Sequence, residues 1–107
     1  MTNDDFQNRV VSPMVASVQQ IFATKGHDYA GDEDRLANFK RIGARLGISP
    51  KMVCLVYMMK HLDATVTDAQ TGSVKGEPIQ EKLKDIVAYA MLYAGLDLEA
   101  KHEWIFI

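Results

Sequence analysis

Two stretches of this chain, MVCLVYMM at 52–59 and IVAYAMLYA at 86–94, contain nothing more polar than tyrosine. A helix on the surface of a monomer keeps a polar face, and neither stretch has one over about two turns. Both fall well short of the roughly 20 apolar residues that cross a bilayer, so protein must cover them. In a chain of 107 residues, one helix pair cannot cover both blocks all round. A homo-oligomer is therefore expected, and the apolar ending Trp104-Ile105-Phe106-Ile107 points the same way.

The remaining sequence is punctuated as helices. Ser12-Pro13 reads as an N-cap followed by proline at the first helical position, and Gly26 as a stop. Between them Met14, Val15, Val18, Ile21 and Phe22 recur at helical spacing, with Phe6 and Val10 continuing the phase upstream. GHDYAGDE at 26–33 is polar and glycine-flanked, a loop. A second helix runs from Glu33 or Asp34 to Leu46 and ends at Gly47. Ser49-Pro50 repeats the cap-plus-proline signature and opens a third helix, expected to reach about Thr65. The longest loop candidate is 67–76, after which Glu77-Pro78 opens a fourth helix that Gly95 is expected to stop. A short helix from Asp97 could follow. No alternation of strand type occurs, so the expected fold is all-α, a single domain over 1–107 resembling an antiparallel four-helix bundle. Residues 1–12 form its N-terminal extension, 13–95 its core helices and 96–107 its tail.

Composition narrows the function classes. The formal charge of −2 speaks against an extended nucleic-acid surface. The single cysteine, Cys54, excludes an internal disulfide framework and a cysteine-rich zinc site. The polar start MTNDDFQNRV lacks the apolar core of a secretory signal, and no membrane span is visible, so a cytoplasmic location is expected.

Side chains able to do chemistry gather in three places. Glu77, Glu81 and Asp85 follow one another at four-residue spacing. They occupy an arc of about 80° on the fourth helix, stacked about one turn apart. Acids in a first turn also suit the helix dipole, so a solvated face is the plain alternative. Further along the stripe stand Ala88, Tyr89 and Leu92, so the acids abut apolar surface, where a hard cation such as Mg²⁺ is held by oxygen ligands. On the third helix Lys60 is expected at the level of Glu81, to neutralise the acids or to receive a phosphate. His61, a lone histidine near an expected helix end, reads as exposed or hydrogen-bonded. The loop around Lys25, His27, Asp28 and Tyr29 is the third cluster; Tyr29 could stack on a base or pack on the second helix, and Asn38 could face the same region. Cys54, inside an apolar block, reads as an inert core thiol.

Taken together, Lys25-x-x-Asp28-Tyr29-Ala30, Asn38-Phe39, a lysine in the third helix and Glu77-x₃-Glu81-x₃-Asp85-x₃-Tyr89 resemble the phage and bacterial nucleotide modification associated domain 1 family. The likeness spans about residues 20–94. That family is similar in outline to the all-α MazG and dUTPase-like nucleotide pyrophosphohydrolases, which hold Mg²⁺ on acidic residues of bundle helices. The resemblance implicates Lys25, Asp28, Tyr29, Asn38, Lys60, Glu77, Glu81, Asp85 and Tyr89. Two departures stand out: Asp63 replaces an arginine three residues after the helical lysine, and Pro78 replaces a serine. The paired E-x-x-E/D motifs of the pyrophosphohydrolases are also missing.

The resulting expectation is a phage-type nucleotide-binding protein, located in the host cytoplasm if phage-encoded. Glu77, Glu81 and Asp85 would hold Mg²⁺, and Lys25, Tyr29, Asn38, Lys60 and Tyr89 would bind the nucleotide. In a hydrolase, Asp28, Lys60 and Glu81 would be the catalytic groups. The alternatives are a module that sequesters a nucleotide or nucleotide second messenger without turnover, and a structural or interaction protein with a solvated acidic helix.

Overall fold

Thr2 starts the first helix. Its hydroxyl accepts the Asp5 N–H at 3.0 Å, and the Asp5 carboxylate accepts the Thr2 N–H at 3.3 Å, a reciprocal cap. The computed structural model describes residues 1–26, 34–103, 105 and 106, with 25 and 26 described in backbone only. Among these the chain is all-α, with no strand. Four consecutive segments, Asn3–Phe6, Gln7–Val11, Ser12–Ile21 and Phe22–Gly26, form one continuous helix, α1. The second and fourth are wound as π-helix. Helix α2 is Ala37–Leu46, α3 is Pro50–Thr71 and α4 is Ile79–Ala100.

Ser12-Pro13 therefore does not begin a helix. Ser12 has helical angles and its N–H reaches back five residues to the Gln7 carbonyl. Proline inside a helix lacks an N–H and crowds the carbonyl four residues earlier, and a π-turn just upstream relieves that conflict. The wider turn also breaks the phase linking Phe6 to Val10 and Met14. Phe6 is consequently exposed, whereas Val10 and Met14 are half-buried.

Two other boundaries move outward. Helix α3 continues past Thr65 to Thr71, through a threonine-containing stretch that reads as loop. The hydroxyls of Thr65, Thr67 and Thr71 donate to the carbonyls of His61, Asp63 and Thr67, so these residues are satisfied inside the helix. Helix α4 runs through Gly95 to Ala100, which absorbs the short helix expected from Asp97. Gly95 is an interior helix position rather than a stop, and a Cβ there would meet Leu36 Cδ1 at 3.5 Å, an ordinary contact distance. The boundaries that hold are local ones. Ser49 Oγ accepts the Met52 N–H at 3.1 Å ahead of Pro50, and Gly47, at φ +70°, closes α2 in the left-handed region.

Helices α3 and α4 form the most extensive pairing and run antiparallel. Lys51 meets Asp97 near one end and His61 meets Asp85 farther along. Helix α2 packs on α3, and the Ser12–Ile21 stretch of α1 packs on α4. Between α2 and α3 the chain turns by 101°, so this corner departs from an up-and-down bundle. Gly43 makes the corner possible: the Ile48 N–H donates to its carbonyl, and a Cβ at 43 would come 2.7 Å from the Ile48 carbonyl oxygen. Ion pairs brace the far side, with Lys40 bonded to Asp34 and to Glu99, both at 2.8 Å.

The core is built from Leu36, Phe39, Val53, Cys54 and Leu96, flanked by Ile42, Tyr89, Leu92 and Tyr93. Each fully buried side chain of this kind contributes about 1.5–3 kcal/mol. The core covers only part of the apolar blocks. On α3, Met52, Val56, Met59, Leu62 and Val66 remain exposed, and on α4 Met91 does. The radius of gyration, 15.5 Å, exceeds the ~13 Å of a compact domain of this length.

Candidate functional site

Where the four helices meet they enclose a cavity of about 530 Å³. Ile21 and Phe22 come from α1, Asn38, Phe39, Arg41 and Ile42 from α2, Tyr57 and His61 from α3, and Asp85, Ala88, Tyr89 and Leu92 from α4; Arg35 joins them just ahead of α2. One wall is aromatic. The Phe39 and Tyr57 rings lie 6.0 Å apart, Tyr57 and Tyr89 6.3 Å, and Tyr89 and the His61 imidazole 5.5 Å.

The polar groups divide by depth. Arg35 and Arg41 are exposed. Arg35 donates to the Phe22 carbonyl at 2.9 Å and lies over the Phe22 ring, fixing the end of α1 to the approach to α2. Arg41 forms no ion pair among the described residues. Deeper in, His61 is only 9% exposed and its Nδ1 has no hydrogen-bond partner. Asp85 Oδ2 lies 3.5 Å from it. Asp85 itself accepts no hydrogen bond from the described residues, although its side chain is only 29% exposed. Burial, reinforced by the Asp85 charge, raises the Tyr89 phenol above its ordinary pKa.

Asp85 also lines a second, more open cavity of about 390 Å³. Glu81, Lys84 and Asp85 line it from α4 and Glu77 from just ahead of that helix, and its wall on α1 includes Ser17, Gln20 and Ile21. The three acids thus line one groove, but only Glu81 and Asp85 share a helix face as expected; Glu77 reaches the groove from ahead of α4, because Pro78 has extended, non-helical backbone. Two are engaged: Glu81 bonds Lys84 at 2.9 Å, and Glu77 meets Lys82 at 3.3 Å. The donors are all oxygen, which suits a hard cation. Among the described residues, however, no three acids, histidines or cysteines are gathered as a preformed metal-ligand set.

Of the sequence-predicted residues, the structure brings Asn38, Asp85 and Tyr89 to the first cavity and Glu77, Glu81 and Asp85 to the second. Lys60 is exposed and lines neither. Asp28, Tyr29 and the Lys25 side chain lie outside the described residues. His61 is the residue misjudged from sequence: because α3 continues to Thr71, it lies mid-helix and buried rather than exposed near a helix end. Its spacing carried the signal, since Cys54, Tyr57 and His61 recur at three and four residues on one stripe. Arg35, Arg41 and Tyr57 were also missed as lining residues. Cys54 matches its expected role. Fully buried, with its Sγ 3.4 Å from the Tyr89 carbonyl, its thiol is pushed up to about 11 by burial.

Set against known proteins, the chain matches no family model, no curated protein and no solved structure.

Proposed function

We propose that the protein binds a nucleotide together with Mg²⁺ across the two cavities that meet at Asp85. The observation carrying this reading is that one carboxylate is shared by an aromatic cavity with arginines at its rim and by an acidic groove. A nucleotide has the matching sequence of parts: a planar base for Phe39, Tyr57 and Tyr89, and phosphates for Arg41. Glu77, Glu81 and Asp85 would hold the cation, with Lys82 and Lys84 releasing the first two. Bound there, Mg²⁺ would neutralise phosphate charge. Asn38 and Tyr89 take the nucleotide-binding roles the family resemblance implies.

The test is thermal shift and calorimetry against nucleotides with and without Mg²⁺. Stabilisation by a nucleotide that grows with Mg²⁺ and disappears in Glu81→Ala is expected. No shift with any nucleotide would instead favour a structural protein with a solvated acidic face. Binding that is indifferent to removal of Mg²⁺ would favour sequestration without a metal. Release of pyrophosphate from a nucleoside triphosphate would extend the reading to hydrolysis.

The same chain is proposed to self-associate through α3, because Met52, Val56, Met59 and Val66 recur along one exposed stripe and the subunit is expanded for its length. Light scattering should return a mass of at least twice the chain, and Val56→Glu should return the monomer.

A further inference from the structure

We propose that the aromatic cavity selects nucleobases that carry an exocyclic amino group (adenine, cytosine and guanine) over uracil and thymine, with the Asp85 carboxylate accepting from that amino group. The inference rests on the nucleotide reading above and adds to it the identity of the base.

Among the described residues, the fold leaves one buried polar atom unsatisfied and, beside it, one half-buried carboxylate without a protein donor. Asp85 accepts no hydrogen bond from the described residues, and His61 Nδ1 is buried without a partner. Partly burying a polar group without a hydrogen bond is unfavourable, and it persists where a ligand completes the set. An ionised carboxylate can only accept. The complementary group on a base is therefore an N–H that projects outward from the ring rather than one set between two carbonyl oxygens. The exocyclic amino groups of adenine, cytosine and guanine meet that requirement. Uracil and thymine offer one ring N–H on that edge, flanked on both sides by carbonyl oxygens that a carboxylate repels.

His61 completes the arrangement as a positioning residue. Its Nδ1 stands 3.5 Å from Asp85 Oδ2, a few tenths of an ångström beyond an ordinary hydrogen bond. In the tautomer with hydrogen on Nδ1, a small movement lets the imidazole donate to Asp85 and fix the carboxylate. Stacking against Tyr89, with ring planes inclined by 32°, holds the imidazole in place. The carboxylate then has one donor from the protein and one from the base. Tyr57 and Tyr89 supply the planar contact, and the cavity volume of about 530 Å³ falls in the usual range for small-ligand sites.

The experiment is calorimetric binding of ATP, GTP, CTP, UTP and dTTP with Mg²⁺ to the full chain, together with inosine triphosphate, which is GTP without its amino group. One charge-assisted hydrogen bond gained against one repulsion predicts a preference of at least ~10-fold for ATP, GTP and CTP over UTP and dTTP, and for GTP over inosine triphosphate. In Asp85→Asn, whose amide both donates and accepts, the ratio between CTP and UTP should collapse towards one, with retained folding checked by circular dichroism. UTP or dTTP binding as tightly as CTP to the wild-type protein overturns this inference and leaves the nucleotide reading standing. A ratio unchanged in Asp85→Asn removes Asp85 as the selecting group. Failure of every nucleotide to bind overturns the nucleotide reading and this selection with it.

Discussion

His61 and Asp85 face each other across the α3–α4 interface, Nδ1 to Oδ2 at 3.5 Å, without completing a hydrogen bond. A buried polar group left in this state costs the fold about 1–3 kcal/mol. Replacing it with an apolar side chain of similar size is correspondingly cheap. His61→Leu should therefore unfold in urea with a stability equal to wild type or higher by up to about 1 kcal/mol. The same variant should lose most of its nucleotide-induced thermal shift. A loss of more than about 2 kcal/mol without ligand would instead assign His61 to the fold.

The two interior glycines make opposite predictions. Gly43→Ala places a methyl 2.7 Å from the Ile48 carbonyl, backbone that cannot step aside without opening the α2–α3 corner. Overpacking of this kind costs about 1–3 kcal/mol. Gly95→Ala meets only the Leu36 methyls at ordinary contact distance, in the interior of a helix. There the better helix propensity of alanine should be neutral or stabilise by up to about 1 kcal/mol. Urea midpoints of the two variants, measured side by side, test both.

Stability should fall in acid through Asp34 and Asp97. The hydrogen bond from Lys40 lowers the Asp34 carboxyl below its ordinary pKa, and Lys51 and Lys101 do the same for Asp97. A carboxyl depressed in the folded state stabilises the fold above its unfolded pKa and loses that contribution as pH falls through the folded value. The Lys40 ammonium, raised first by Asp34 and then by Glu99, loses its contribution only at strongly alkaline pH. Urea midpoints should thus hold steady near neutrality and drop below about pH 4. Asp34→Asn should flatten part of that drop, by less than about 1 kcal/mol because the pair is solvent-screened.

Cys54 should behave as core rather than as a reagent. With no exposed surface and a thiol pushed up to about 11, it offers neither access nor thiolate near neutral pH. An aromatic disulfide reagent should leave the native protein unlabelled and modify one thiol per chain once denaturant is added. Rapid labelling of the native protein would place Cys54 in an opening segment.

Local punctuation in this chain was legible because it depends on neighbours. Ser49-Pro50 and Gly47 do in three dimensions what their residue types prescribe. Glu81 and Asp85 were legible for the same reason, since four-residue spacing within a helix fixes one face whatever packs against it, whereas Glu77 falls ahead of α4 and outside that rule. The failures are places where tertiary structure overrides a local signal. Pro13 signals a start, but Thr2 has already capped the helix and a π-turn absorbs the proline. Gly95 signals a stop, yet α4 continues through it to Ala100 where the helix packs beside Leu36. The level of the cavity was misjudged through α3. Once that helix runs to Thr71, it is His61 that meets α4, whereas the neighbouring Lys60 is exposed. Which residues from α2 close the cavity follows from the 101° corner, and nothing in the spacing encodes that angle.

One carboxylate serving two cavities makes their occupants thermodynamically answerable to each other. A cation that draws on the Asp85 charge leaves a weaker acceptor for a base amino group. A nucleoside without phosphate and Mg²⁺ should accordingly disfavour one another, by the same factor in both directions. Adding the phosphates reverses the sign, because the cation then also holds part of the ligand. Cooperativity that turns from negative with adenosine to positive with ATP, measured as the change in each Kd caused by Mg²⁺, would mark Asp85 as the coupling element of the site.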